Sequence, residues 1–165
     1  MQRRKVALIS KIPSIQELVE QLLSLLSRTV YPREQMESYV NRLGESFKWE
    51  GVPYVEIEDD NYIVTIYERG IPSLTRKLKQ TQEVLYWLLE DMIFTAAHVN
   101  LLKKYGVDNV HTHLDYTSEV WQEIESNVRA AFENIGDPYL SWHLGGKRHE
   151  LESYQPRKKG EQQHE

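Results

Sequence analysis

Between Thr81 and Tyr105 apolar residues recur at three- and four-residue spacing: Val84, Leu85, Leu88, Leu89, Met92, Ile93, Ala96, Ala97, Leu101 and Leu102. A stripe of that length predicts one long helix of period 3.6, with Gly106 as its left-handed stop. Tyr86, Trp87 and Phe94 fall beside the stripe and widen it, so this helix needs cover on two sides. Whatever else the chain forms has to pack around it.

The segments before it supply that cover. Ser14-Ile15-Gln16-Glu17 has the form of a capping box, in which a hydroxyl and a carboxylate satisfy each other's backbone N–H groups. Ile15, Leu18, Val19, Leu22, Leu23, Leu25 and Leu26 follow as an apolar stripe. Pro32 suits the opening of a second helix, whose face is Met36, Tyr39, Val40, Leu43 and Phe47. The period then changes to that of strands. Tyr54–Ile57 and Tyr62–Tyr67 are rich in β-branched and aromatic residues and are separated by the turn formers Glu58-Asp59-Asp60-Asn61, which predicts a hairpin. Gly70 ends the second strand. Ser73–Leu78 reads as a third antiparallel strand, with Pro72 placing its start at or near an edge.

After the long helix, Asp108–Tyr116 reads as a polar loop. A further helix is capped at Thr117 or Ser118, with Val120, Trp121, Ile124, Val128, Ala131, Phe132 and Ile135 facing inward. Gly136-Asp137-Pro138 ends it, and Tyr139–Trp142 is expected to dock on the core. Residues 145–165 carry only Leu151 and Tyr154 as sizeable apolar groups, among five bases and four acids. Burial there cannot offset ordering entropy, which predicts a disordered polar tail. The expected architecture is α+β: one domain over residues 1–144, with a small antiparallel sheet of three or four strands packed against helices.

The 165 residues contain no cysteine, which removes disulfide frameworks, thiolate metal sites and cysteine nucleophiles. A formal charge of -5 speaks against direct nucleic-acid binding and for a basic partner. Arg3-Arg4-Lys5 before Val6–Ile9 imitates a signal peptide, but Lys11 and Pro13 interrupt the apolar run. No run approaches the roughly 18 apolar residues of a membrane span. The expected setting is the cytoplasm, away from membranes.

Few residues suggest catalysis. His111, His113 and Asp115 alternate, and on an extended segment all three would face one divalent metal, with His98 as a fourth ligand. That pattern makes a small metal-dependent hydrolase the alternative reading. Against it, the segment is polar and turn-like, and a His-x-His spacing carries little information. No nucleophile elbow, phosphate loop or dinucleotide fingerprint is present. Glu56, Glu58, Asp59 and Asp60 crowd the predicted turn without the spacing of a calcium loop.

The most distinctive text is Tyr67-Glu68-Arg69-Gly70, then Arg76, then Val84-Leu85-Tyr86-Trp87 with Glu90, and Phe94 and Ala97 further along the same helix. In this order, over about residues 54–105, the chain resembles the bacterial immunity protein 63 family, small proteins that neutralise toxins of polymorphic toxin systems. After Tyr105 it departs from the family pattern, where Gly106–His111 replaces a basic-acidic stretch. The resemblance implies a non-catalytic protein without cofactor whose partner is a cognate toxin, basic and nuclease-like in surface. On that reading the contact residues are Glu56, Glu58, Asp59 and Asp60 at the hairpin tip, with Glu68, Arg69 and Arg76 nearby.

Overall fold

The computed structural model describes residues 12–44 and 51–153. In chain order these form α1 (Ile15–Leu26), α2 (Arg33–Val40), a 3-10 turn (Asn41–Gly44), β1 (Tyr54–Glu58), β2 (Asn61–Glu68), β3 (Ile71–Leu78), α3 (Thr81–Tyr105), α4 (Ser118–Ile135), α5 (Tyr139–Leu144) and α6 (Lys147–Ser153). The fold is α+β, with three antiparallel strands in the order β1-β2-β3.

The local signals act as the chemistry demands. Ser14 Oγ accepts from the Glu17 N–H at 3.2 Å, and Glu17 Oε1 accepts from the Ser14 N–H at 2.9 Å, closing the capping box that starts α1. Gly106 adopts φ 68° and stops α3, with its own N–H on Lys103 O and that of Val107 on Leu102 O. Thr117 caps α4 through its side chain, which accepts from the Val120 N–H at 3.3 Å.

In the sheet, Asp59 and Asp60 both take left-handed backbone (φ 51° and 61°), the geometry of a two-residue turn whose twist matches its strands. Pairing runs Val55↔Val64↔Arg76 and Ile57↔Tyr62↔Leu78 on the face toward the helices. Tyr54, Thr65 and Thr75, and then Glu56, Ile63 and Lys77, form rows on the opposite face. β3 begins at Ile71, two residues before the expected start. Ser73 is the extra residue where the register shifts, and its hydroxyl donates to the Ile66 carbonyl at 3.1 Å.

α3 is the axis of the molecule. It contacts α1, α2, β2, β3, α4, α5 and α6. Val84 through Glu90 are consecutive buried residues, and Tyr86, Trp87 and Leu89 have no exposure at all. The expected two-sided cover is therefore present. The Trp87 indole N–H is buried and has no hydrogen-bond partner among the described residues.

Three expectations need correction. The second helix ends at Val40 and tightens into the 3-10 turn; Phe47 lies outside the described residues. Trp121 is not inward but 43% exposed. It sits about 100° around α4 from the buried line Val120, Ile124, Val128 and Phe132. Finally, the chain does not become a tail after Leu144. Lys147–Ser153 is helical and docks on β3 and α3 with Leu151 buried, while residues 154–165 lie outside the described residues. No described helix is long and apolar enough to cross a membrane.

Candidate partner-binding surface

The sequence-derived contact residues do not form one patch. Glu56, Glu58, Asp59 and Asp60 are exposed at the β1–β2 end of the sheet. Glu68 and Arg69 are exposed at the β2–β3 end, where Arg69 and Gly70 turn with φ 54° and 76°. The eight residues of β2 separate the two ends by roughly 23 Å.

Arg76 is not a surface residue. It occupies a core-facing position of β3 and is 7% exposed. Its Nε donates to the Leu151 carbonyl at 3.1 Å, one Nη to the Thr75 carbonyl at 2.8 Å, and the other to the Glu152 carbonyl. The last-turn carbonyls of a helix have no intrahelical donor, so a guanidinium there satisfies them and fastens α6 to the sheet.

Nor do the histidines assemble a metal site. Among the described residues no group of three or more His, Cys, Asp or Glu is placed to hold an ion. The reason lies in Asp108, whose Oδ1 accepts from the N–H groups of Val110, His111 and Thr112 at 2.8–3.0 Å. These bonds hold its carboxyl far below the usual carboxylate range. They coil the segment instead of extending it, with Asn109 left-handed at φ 58°. His111 Nδ1 lies 3.3 Å from Asp108 Oδ2, His113 and Asp115 are exposed, and His98 Nε2 shares a 2.5 Å hydrogen bond with the Tyr116 hydroxyl.

A polar network that sequence spacing could not reveal sits where α3, α5 and α6 meet. Glu90 Oε2 accepts from the Tyr86 hydroxyl at 2.5 Å and pairs with His143 Nδ1 at 2.7 Å. The Arg148 N–H donates to the Tyr86 oxygen at 3.2 Å. Burial first, and then the bond to Glu90, push the Tyr86 hydroxyl well above its ordinary pKa. The His143 ring stacks on Phe132 with centroids 4.5 Å apart and 9° between planes. Lys147 bridges to Glu83 at 2.8 Å and lies 5.0 Å over the Trp142 ring. Tyr86 and Glu90 were visible as an i,i+4 pair. His143, 53 positions away, was not.

Next along α3, Asp91 is largely buried, and that burial lifts its carboxyl from 3.8 to about 6 against the pull of Arg148 and Arg42. The unfolded carboxyl ionises first as pH rises, so stability should fall between about pH 4 and pH 6 and stay lower above it. Asp91→Asn removes the penalty. The variant should be about 2 kcal/mol more stable than the parent at pH 7.5 and close to it at pH 4. Urea midpoints across that range measure this, and equal midpoints at pH 7.5 would contradict the assignment.

Beside the Glu90–His143 pair opens a groove of about 370 Å³ between α3 and α4, with Ile124 and Val128 in its lining. Phe94, Glu125, Arg129 and Leu144 complete its walls. Phe94 is 37% exposed and Leu144 54%. Aromatic rings continue the seam from there: Phe94 to His98 at 6.0 Å, His98 to Tyr116 at 5.6 Å, and Tyr116 to Trp121 at 5.3 Å.

Residues 58–123 match the Immunity protein 63 family model. The match runs from the end of β1, through β2, β3 and all of α3, into the first turns of α4. It includes the Asp108 loop, so the departure expected after Tyr105 is not where the likeness to Immunity protein 63 ends. No curated protein and no solved structure matches the chain. Within the matched span lie Glu68, Arg69, Arg76, Glu90 and the rings Phe94, His98, Tyr116 and Trp121.

Proposed function

We propose that this chain is a non-catalytic immunity protein, which binds a cognate bacterial toxin domain and neutralises it by covering the surface the toxin works with. The observation that carries this reading is the Immunity protein 63 match over residues 58–123. The charge of -5 supports a basic, nuclease-like target, since complementary fields speed encounter and favour the right partner. The exposed acids Glu56, Glu58, Asp59 and Asp60 contribute to that field at one end of the sheet, and Glu68 with Arg69 borders the other. Such a protein acts in the cytoplasm, without cofactor, membrane or nucleic acid as partner.

Co-expression tests the proposal directly. The probe is the C-terminal domain of a secreted toxin encoded beside the gene for this chain. Growth arrested by that domain should be restored by the full chain, and the two should co-purify in a stoichiometric complex. Continued killing, with both proteins soluble and expressed, would reject the reading.

A further inference from the structure

We infer that the toxin is gripped at the seam between α3 and α4, where it inserts an apolar side chain flanked by a lysine or arginine; this deepens the immunity reading and rests on it. Large rings left partly in water on adjacent helices are the residues on which interface affinity concentrates. Phe94 and Leu144, 37% and 54% exposed, border a groove open to a side chain, and the rings of His98, Tyr116 and Trp121, the last two 37% and 43% exposed, run on from Phe94 at centroid spacings of 5.3–6.0 Å. The rings are held before any partner arrives. Tyr116 takes hydrogen bonds from both sides, with His98 Nε2 at 2.5 Å and the Asn109 side-chain amide at 2.7 Å. Buried Ile93 and Ala97 fix the α3 wall, and buried Ile124 and Val128 fix the α4 wall. Little ordering entropy is then left to lose on binding.

Charge selects the occupant. Glu90 is committed to Tyr86 and His143, and Arg129 lies 3.5 Å from Glu133. Glu125 has no ion pair among the described residues. The groove therefore offers an apolar floor with one uncompensated carboxylate on its wall, which suits an apolar residue next to a cation. The hairpin tip differs in kind. Its acids are exposed carboxylates, so they affect the rate of encounter more than the hold.

The full chain and the toxin domain encoded beside it are compared by binding kinetics at two salt concentrations, with melting curves for every variant. Trp121→Ala combined with Phe94→Ala should weaken binding about 100-fold, chiefly through faster dissociation, at near-parental melting temperature. Glu125→Lys, which leaves the rings intact, should weaken it about tenfold. Asp59→Asn with Asp60→Asn should change association rate and salt dependence, with less than tenfold effect on Kd. If the parent chain protects and binds while the ring variants stay within about threefold of it, the seam is not the grip. A chain that self-associates through Trp121, with protection unaffected by its loss, overturns the inference in favour of a second copy as occupant. A parent chain that neither binds nor protects rejects the immunity reading itself.

Discussion

Replacing Glu90 with leucine is expected to destabilise the protein by about 3 kcal/mol and to lower its melting temperature by roughly 6–12 °C. Glu90 is 8% exposed, and one oxygen serves two donors, the Tyr86 hydroxyl and His143 Nδ1. A leucine fills the space but leaves the buried Tyr86 hydroxyl and the partly buried His143 ring without that acceptor. Tyr86 then has only the Trp142 carbonyl, at 3.3 Å, to receive its proton. Its other neighbour, the Arg148 N–H, is a donor and offers no relief. Swapping a whole buried pair for apolar groups is often harmless, but removing one member strands the other. Glu90→Gln retains a carbonyl for Tyr86 and should cost about 1 kcal/mol. Urea unfolding followed by tryptophan fluorescence ranks the three proteins. A leucine variant as stable as the parent would mean that the network contributes nothing net. Because His143 anchors α5, and Leu144 follows it into the groove wall, the leucine variant should also loosen the seam that meets the partner.

Arg76→Met should release α6 while leaving the rest of the fold intact. The methionine keeps the apolar stem and loses the donors that hold the carbonyls of Leu151 and Glu152. Hydrogen bonds from a charged donor contribute about 1.5–3 kcal/mol each. Against that loss α6 retains the burial of Leu151, about 2 kcal/mol, and the Lys147–Glu83 pair. The balance moves α6 from docked to frequently open, so trypsin should cut after Lys147 and Arg148 at least about tenfold faster. Hydrogen exchange should rise over residues 147–153 and not over α1. Unchanged cleavage would show that Leu151 and Lys147 suffice. The same contacts mean that deleting residues 145–165 is not the removal of an inert extension. It strips partners from Arg76, Glu83 and Tyr86 together.

The parts of the fold that were legible before the structure share one property: each is decided within a few residues. The capping box at Ser14, the left-handed stop at Gly106, the turn at Asp59-Asp60 and the long apolar stripe of α3 follow from dihedral preference and a repeating period. The order of the motifs on strand and helix was local too, and it pointed to the family whose model matches residues 58–123. Candidate contacts were harder to place. Acids at a hairpin tip stay exposed wherever the sheet packs, whereas an arginine on an alternating strand is exposed only if nothing docks there. In Arg76 the alternation Leu74-Arg76-Leu78 already put the residue on the core face, against its charge. What made that position tolerable lay 75 residues on, in the carbonyl end of α6.

By itself, then, the amino-acid order determined the helices α1, α3 and α4 with their caps at Ser14, Gly106 and Thr117, the β1–β2 hairpin, and that α3 must be enclosed. It did not determine the end of α2 at Val40, the start of β3 at Ile71 or the existence of α6. Tertiary structure alone decided which polar groups meet. It brought His143 to Glu90, turned the expected tail into a helix on Arg76, bonded His98 to Tyr116, and left Trp121 partly exposed at the far end of a row of rings that starts at Phe94. The physical reason is range. Backbone geometry and hydrophobic period act over one or two turns of chain, while the partner that satisfies a buried charge or leaves a ring uncovered is set by packing between segments tens of residues apart.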